Sequence, residues 1–212
     1  MSDEQPQPPA AFPSPADQER LSRDRTEIRE AVTDAWQAWA SLENTLAMLL
    51  ENAVHSRVAQ LGLAIYYEPT NAETRFGIVD VAVRRYLRAR ELEELFLASW
   101  KTIVAQLGPA RSTRNKIAHG DLVVHVAPNG KSRYRLSGLL FDLERFKLHP
   151  DQFPGMSAND IRNHVAKLDN VRTSCQKTVA DMILSTHDCF DVPTLRAKSQ
   201  ELAEHLQSSR DR

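Results

Sequence analysis

The chain has 212 residues, enough for one domain with a substantial core plus tails. Apolar residues make up 42% and charged residues 26%, with only 7 glycines, a balance that favours helices over a sandwich or barrel. The formal charge of -1 excludes a chain basic throughout, and two cysteines, Cys175 and Cys189, exclude a disulfide framework or a cysteine-rich metal site.

Residues 1–16 carry five prolines and no apolar period, so they read as a disordered lead-in. From about 17 to 63 apolar residues recur in steps of three and four, through Leu21, Ile28, Val32, Ala35, Trp39, Leu42, Leu46, Leu50, Val54, Val58 and Leu61. A helical stretch is predicted there, as one helix or as two with a break near Asn44 or Glu51, and AWASLENTLAMLL is too apolar for it to stand alone. YYEPTNAE is a turn punctuated by Pro69 and Asn71. A second long helix is predicted over about 72–107, with Ile78, Val81, Ala82, Ala89, Leu92, Phe96, Ser99, Ile103 and Leu107 as its stripe and Gly108-Pro109 as its stop.

A short helix then fits 110–119, closed by a left-handed Gly120. The period changes after it: LVVHV and SRYRL flank APNG, which predicts a β-hairpin over about 121–137. The stretch 141–156 is irregular. Another long helix is expected over 158–186, with Ile161, Val165, Leu168, Cys175, Val179 and Met182 on one side, and a last one from Pro193 with Leu195, Leu202 and Leu206. The sum is an all-α fold, an antiparallel helical bundle of four to five helices with one inserted β-hairpin, filling 17–190 and followed by an amphipathic helix and tail over 191–212. No apolar run approaches the roughly 20 residues that span a bilayer, and MSDEQPQPPA lacks the basic start and apolar centre of a secretory signal. A cytoplasmic protein without a membrane partner is expected.

Charge is uneven along this scaffold. Residues 1–30 hold seven acids against four bases, whereas 101–147 hold nine Lys and Arg against three acids, a local excess suited to a polyanion. Inside it lies RSTRNKIAHG, 111–120. On a helix Arg111, Asn115 and His119 form one row, Arg114 lies on its flank, and Ile117 turns to the core. These groups suit RNA cleavage without a metal. A 2′-hydroxyl must lose a proton as it attacks its phosphate, and the leaving 5′ oxygen must gain one; histidine does either near neutral pH. An Arg fork meets the phosphoryl oxygens as their charge spreads. One imidazole serves poorly as both base and acid, so the chemistry calls for a second copy across a twofold axis. An ordinary helix end, with His near the dipole's negative pole and Gly as cap, accounts for the same letters, and spacing alone leaves both readings open.

The string RNKIAHG, set in a helical bundle, resembles the RN-x-IAHG form of the HEPN domain. The likeness covers roughly 30–190, with specificity concentrated in those seven residues; Trp100 on the preceding helix and AWASLENTLAMLL accompany it. The resemblance implies a compact α-helical homodimer with facing motifs and, in active members, a metal-independent endoribonuclease of toxin–antitoxin, phage-defence or stress systems. It implies Arg114 on the scissile phosphate, Asn115 as polar partner and His119 as general acid or base. RNA and an antitoxin protein are the implied partners, with no cofactor. Inactive members serve as dimerising or binding modules, the alternative reading here. Where members controlled by nucleotidylation carry a Tyr two residues after the His, this chain has Asp121.

Further phosphate contacts are expected from Arg111, Lys116, Arg133 and Arg135, the last two on one face of the hairpin beside Lys131 and Tyr134. A charged, aggregation-resistant strand edge explains the hairpin bases equally well. Arg84, Arg85, Arg88 and Arg90 are expected to pair with Glu91, Glu93 and Glu94. His187 and Cys189 fall short of a zinc site. IRNHV at 161–165 repeats the motif's residue types without its spacing, and Trp36, Trp39 and Trp100 read as core or interface.

Overall fold

A computed structural model describes residues 14–54, 58–126, 132–138 and 155–186. The Pro-rich segment before Ser14, the hairpin turn, the irregular segment before Gly155, His187 with Cys189, and the helix expected from Pro193 lie outside the described residues. Five helices and one two-stranded antiparallel sheet make up the rest: α1 (Pro15–Val54), α2 (Leu61–Tyr67), α3 (Ala72–Ala89), α4 (Glu93–Ala118), β1 (Asp121–Val126), β2 (Ser132–Ser137) and α5 (Ala158–Thr186). The bundle with an inserted hairpin is therefore the observed architecture. Among the described residues no helix is long and apolar enough to cross a membrane.

Each start has a local cause. Ser14 and Asp17 cap α1 reciprocally, as Ser157 and Asp160 cap α5, each serine hydroxyl accepting the third residue's N–H while donating to its carboxylate. The side chain of Asn71 accepts the Thr74 N–H at 2.7 Å and begins α3.

The expected first helix stops at Val54. Past it the chain returns as α2, with Gln60 left-handed at φ 63°. The Glu51 carboxylate accepts the N–H groups of Gln60, Gly62 and Leu63, satisfying the donors a helix start leaves open. A side chain at Gly62 would collide with the Glu51 backbone, so only glycine permits this approach.

The expected second helix breaks in the middle instead of at Gly108-Pro109. Glu91, at φ 60°, takes the left-handed position that ends α3; the Leu92 N–H reaches the Leu87 carbonyl and the Glu91 N–H that of Arg88. Helix α4 then runs unbroken through Pro109, so the short separate helix over 110–119 does not exist. Pro109 and Ala105 are both exposed, so the Ala105 carbonyl that loses its donor faces water. The α3 stripe also shifts: Val79, Val83, Tyr86 and Leu87 are buried, while Val81 is 55% exposed.

Successive helices reverse. Gly62 meets Glu51 and Tyr67 meets Asn44 between α2 and α1; Arg111 meets Glu73 and Trp100 meets Asp80 between α4 and α3. Helices α1 and α5 lie side by side in the same direction. Two apolar cores result. The larger joins Trp39, Leu42, Leu46, Val83, Leu87, Phe96, Trp100, Ile103 and Leu168. The smaller lies under the hairpin, from Ile28, Ala31, Ala35, Ile117, Leu136, Ala158 and Ile161. Leu136 also exchanges backbone hydrogen bonds with Met156, tying β2 to the residues ahead of α5.

Candidate functional site

The last two turns of α4 carry the motif. Ile117 is buried in the smaller core, which fixes the rotation of the helix as its spacing predicts. Asn115 and Lys116 are exposed, and His119, just past the final turn, is exposed with its N–H bonded to the Asn115 carbonyl at 3.0 Å. Gly120 does not adopt the expected left-handed conformation. The positive-φ glycine among the described residues is Gly155. What Gly120 supplies is space, since a Cβ there would lie 2.7 Å from the Leu136 Cγ and 2.9 Å from the Lys116 carbonyl oxygen.

Arg114 turns partly inward. Its guanidinium lies 4.7 Å above the Trp36 ring and 5.7 Å from that of Trp39, both on α1. Stacks of this kind contribute on the order of 1 kcal/mol. One terminal nitrogen donates to the Asn115 side-chain oxygen at 3.1 Å, so the motif's first two residues hold one another. The Arg114 Nε is buried with no hydrogen-bond partner in the protein. Trp36 is 42% exposed, so this cation is presented on the face of an indole at the surface. Trp39 and Trp100 are buried, and the Trp100 N–H donates to Asp80 at 2.8 Å.

Behind the stack lies His164, on α5, 95% buried by its 5% exposure. It lines a narrow void with Ala35, Trp36, Arg114 and Ile117, and its Nε2 also lacks a partner. Burial, and to a lesser degree Lys167, holds its pKa below 6.5. This histidine belongs to IRNHV, whose spacing suggested no role. Lying three residues after Ile161 and four before Leu168, His164 falls inside the stripe, which is the signal that would have placed it.

The remaining predicted contacts divide. Arg111 donates to Glu73 on α3 at 2.6 Å. Arg135 lies 3.6 Å from Asp160, the acid that caps α5, and Asp160 is held below the usual carboxylate range first by the Ser157 hydroxyl. Arg133 is exposed, opposite His125 in the strand register. Arg84 bonds Asp80 and Arg88 bonds Glu93, the local pairing expected of that cluster in part. Among the described residues no group of three or more His, Cys, Asp or Glu is placed to hold a metal. Cys175 is a free, buried thiol pushed up to about 12 by burial, which suits packing.

One open cleft adjoins the motif. About 560 Å³ in volume, it lies between α1 and the hairpin, with Ile28, Val32, Leu122 and Leu136 as floor, Tyr134 and Gly120 as wall, and Arg25 and Arg29 at the rim. Comparison with protein-family models, with curated proteins and with solved structures gave no match.

Proposed function

We propose that this protein is a metal-independent endoribonuclease of toxin or defence type, HEPN-like and acting as a homodimer, with Arg114, Asn115 and His119 at its site. The observation that carries this reading is the exposed edge at the end of α4: the His119 imidazole and Asn115 amide face solvent beside a guanidinium fixed on Trp36. A preset cation costs little reorganisation when phosphoryl charge develops.

In the reaction the ribose 2′ oxygen attacks phosphorus and gives its proton to one imidazole. The bond from phosphorus to the 5′ oxygen breaks, and that oxygen takes a proton from a second imidazole. The products are a 2′,3′-cyclic phosphate and a 5′-hydroxyl end. Among the described residues His164 is shut behind Trp36 and His125 lies in β1 of the hairpin, so the partner copy's motif is the natural source of the second imidazole. Lys116 on α4 and Arg133 on β2, both exposed, fit phosphate contacts that do not select sequence.

The test is RNA cleavage by the purified protein with EDTA present. Wild type is expected to cleave, and His119→Ala to lose cleavage while circular dichroism and dimer size stay unchanged. Intact RNA after prolonged incubation with wild type overturns the nuclease reading.

A second reading is favoured by one observation: Arg114 is hydrogen bonded to its own neighbour and packed on two indoles, a structural employment for the motif's cation. On that reading the protein is a catalytically inactive dimerisation and binding module for RNA, nucleotide or protein, an antitoxin among them. Arg114→Ala then weakens folding and binding together, and His119→Ala leaves binding intact.

A further inference from the structure

On α1, Arg25, Ile28, Arg29 and Val32 follow steps of three and four and so occupy one face, the face that lines the cleft. Two like charges one turn apart repel, and neither arginine pairs with a carboxylate among the described residues, whereas Glu27 on the same helix is matched by Arg162. Between these cations and the hairpin the surface is apolar, and Tyr134 stands half-buried on its wall. A cationic rim over an apolar, partly aromatic floor has the complement of a nucleotide, an anion carrying a flat ring. An acidic peptide would satisfy the rim and leave the floor bare. The volume of about 560 Å³ lies within the range of small-molecule sites.

We propose that this cleft is a subsite for one nucleotide of a single-stranded RNA, its base lying on Val32, Leu122 and Tyr134 and its phosphate held by Arg25 and Arg29. The inference rests on the reading of this protein as acting on RNA. Gly120 lines the cleft and adjoins His119, so a strand seated there leaves the cleft at the motif. Base stacking on the tyrosine and aliphatic wall is tolerant of sequence, so this subsite sets the direction of the strand and not its letters.

The experiment measures binding apart from cleavage, using His119→Ala protein and a short fluorescein-labelled oligouridylate. Arg25→Ala with Arg29→Ala is expected to weaken binding at least tenfold. It is also expected to lower the slope of log affinity against log salt by about 0.7, the share of the one phosphate held there. Thr33 is exposed on the rim, so Thr33→Glu should weaken binding and Thr33→Lys strengthen it, a gain that damage to the fold cannot produce. A 4-thiouridine in the strand should cross-link to peptides holding Leu122 or Tyr134. Unchanged affinity and slope in the double variant, with cross-links confined to α4, overturn the subsite. So does a glutamate-rich peptide that binds with the same arginine dependence when the RNA does not. Arginine-dependent binding without wild-type cleavage supports this subsite and sinks the nuclease reading; cleavage with arginine-independent binding does the reverse.

Discussion

The two cores differ in what they bury. The larger joins aliphatic and aromatic side chains from all five helices, and the N–H of Trp100, one of its two indoles, has a carboxylate partner. The smaller, under the hairpin, is built from fewer and shorter side chains and is flanked by two buried nitrogens without partners, on Arg114 and His164. The larger core buries an unmatched group as well, the Tyr66 hydroxyl, and each such group costs about 1–3 kcal/mol; the hairpin end has fewer and shorter apolar side chains to offset that cost. Most of the apolar bulk thus lies in the larger core, and the motif's residues gather beside the smaller one. A hydrophobic core large enough to carry the fold lets the other end hold a histidine, a stacked cation and a cleft.

The strongest way to break this contrast is at Leu46, fully buried in the larger core. Leu46→Ala should cost about 2–5 kcal/mol in urea unfolding, with the whole chain losing structure in one transition. Loss of the hairpin end alone would show that the two cores are energetically separate. Gly120→Ala tests the other end. Its Cβ would press on Leu136 and the Lys116 carbonyl, and the expected cost is about 1–3 kcal/mol. Hydrogen exchange should speed up in β1 and β2 and stay unchanged around Trp100.

Arg114→Ala should cost about 1 kcal/mol through loss of the Trp36 stack, and near-neutral pH tryptophan fluorescence should shift as Trp36 loses its neighbour. The same end should carry a pH dependence. His164 is held below 6.5 by burial first and Lys167 second. The folded state binds that proton more weakly than the unfolded chain does. Stability should therefore fall as the pH drops below 6.5, flattening once the folded imidazole takes its own proton. Thermal melts across that window should show this slope in wild type and a shallower one in His164→Leu. The smallest effect is expected at Arg111, whose ion pair with Glu73 joins groups 33% and 78% exposed. Arg111→Ala should change stability by no more than about 1 kcal/mol, and less in high salt.

Local chemistry explains which of these features were legible beforehand. The hairpin and α5 follow from an Asn-Gly turn between alternating strands and from an uninterrupted helical period, and both lie where that pattern puts them. Ile117 faces inward for the same reason. The break between α3 and α4 was hidden because Glu91 occupies a left-handed cap where glycine is the usual signal, while Pro109 gave a stop signal that its exposed position makes harmless. The motif's residues could be named, but not the surfaces they meet. Trp36 under Arg114, Glu73 beside Arg111 and Asp160 beside Arg135 all come from other elements, and only the packed fold brings them together.

The backbone pairing of Leu136 with Met156 has a mechanical side. It couples the sheet to the near end of α5, a rod of 29 residues and roughly 43 Å, whose far end is latched where the Tyr86 hydroxyl donates to the Met182 carbonyl at 3.0 Å. A wedge that levers the strands outward therefore also pulls on a helix anchored in the larger core through Leu168, Val171, Cys175 and Met182, so the sheet borrows rigidity from packing it does not itself touch.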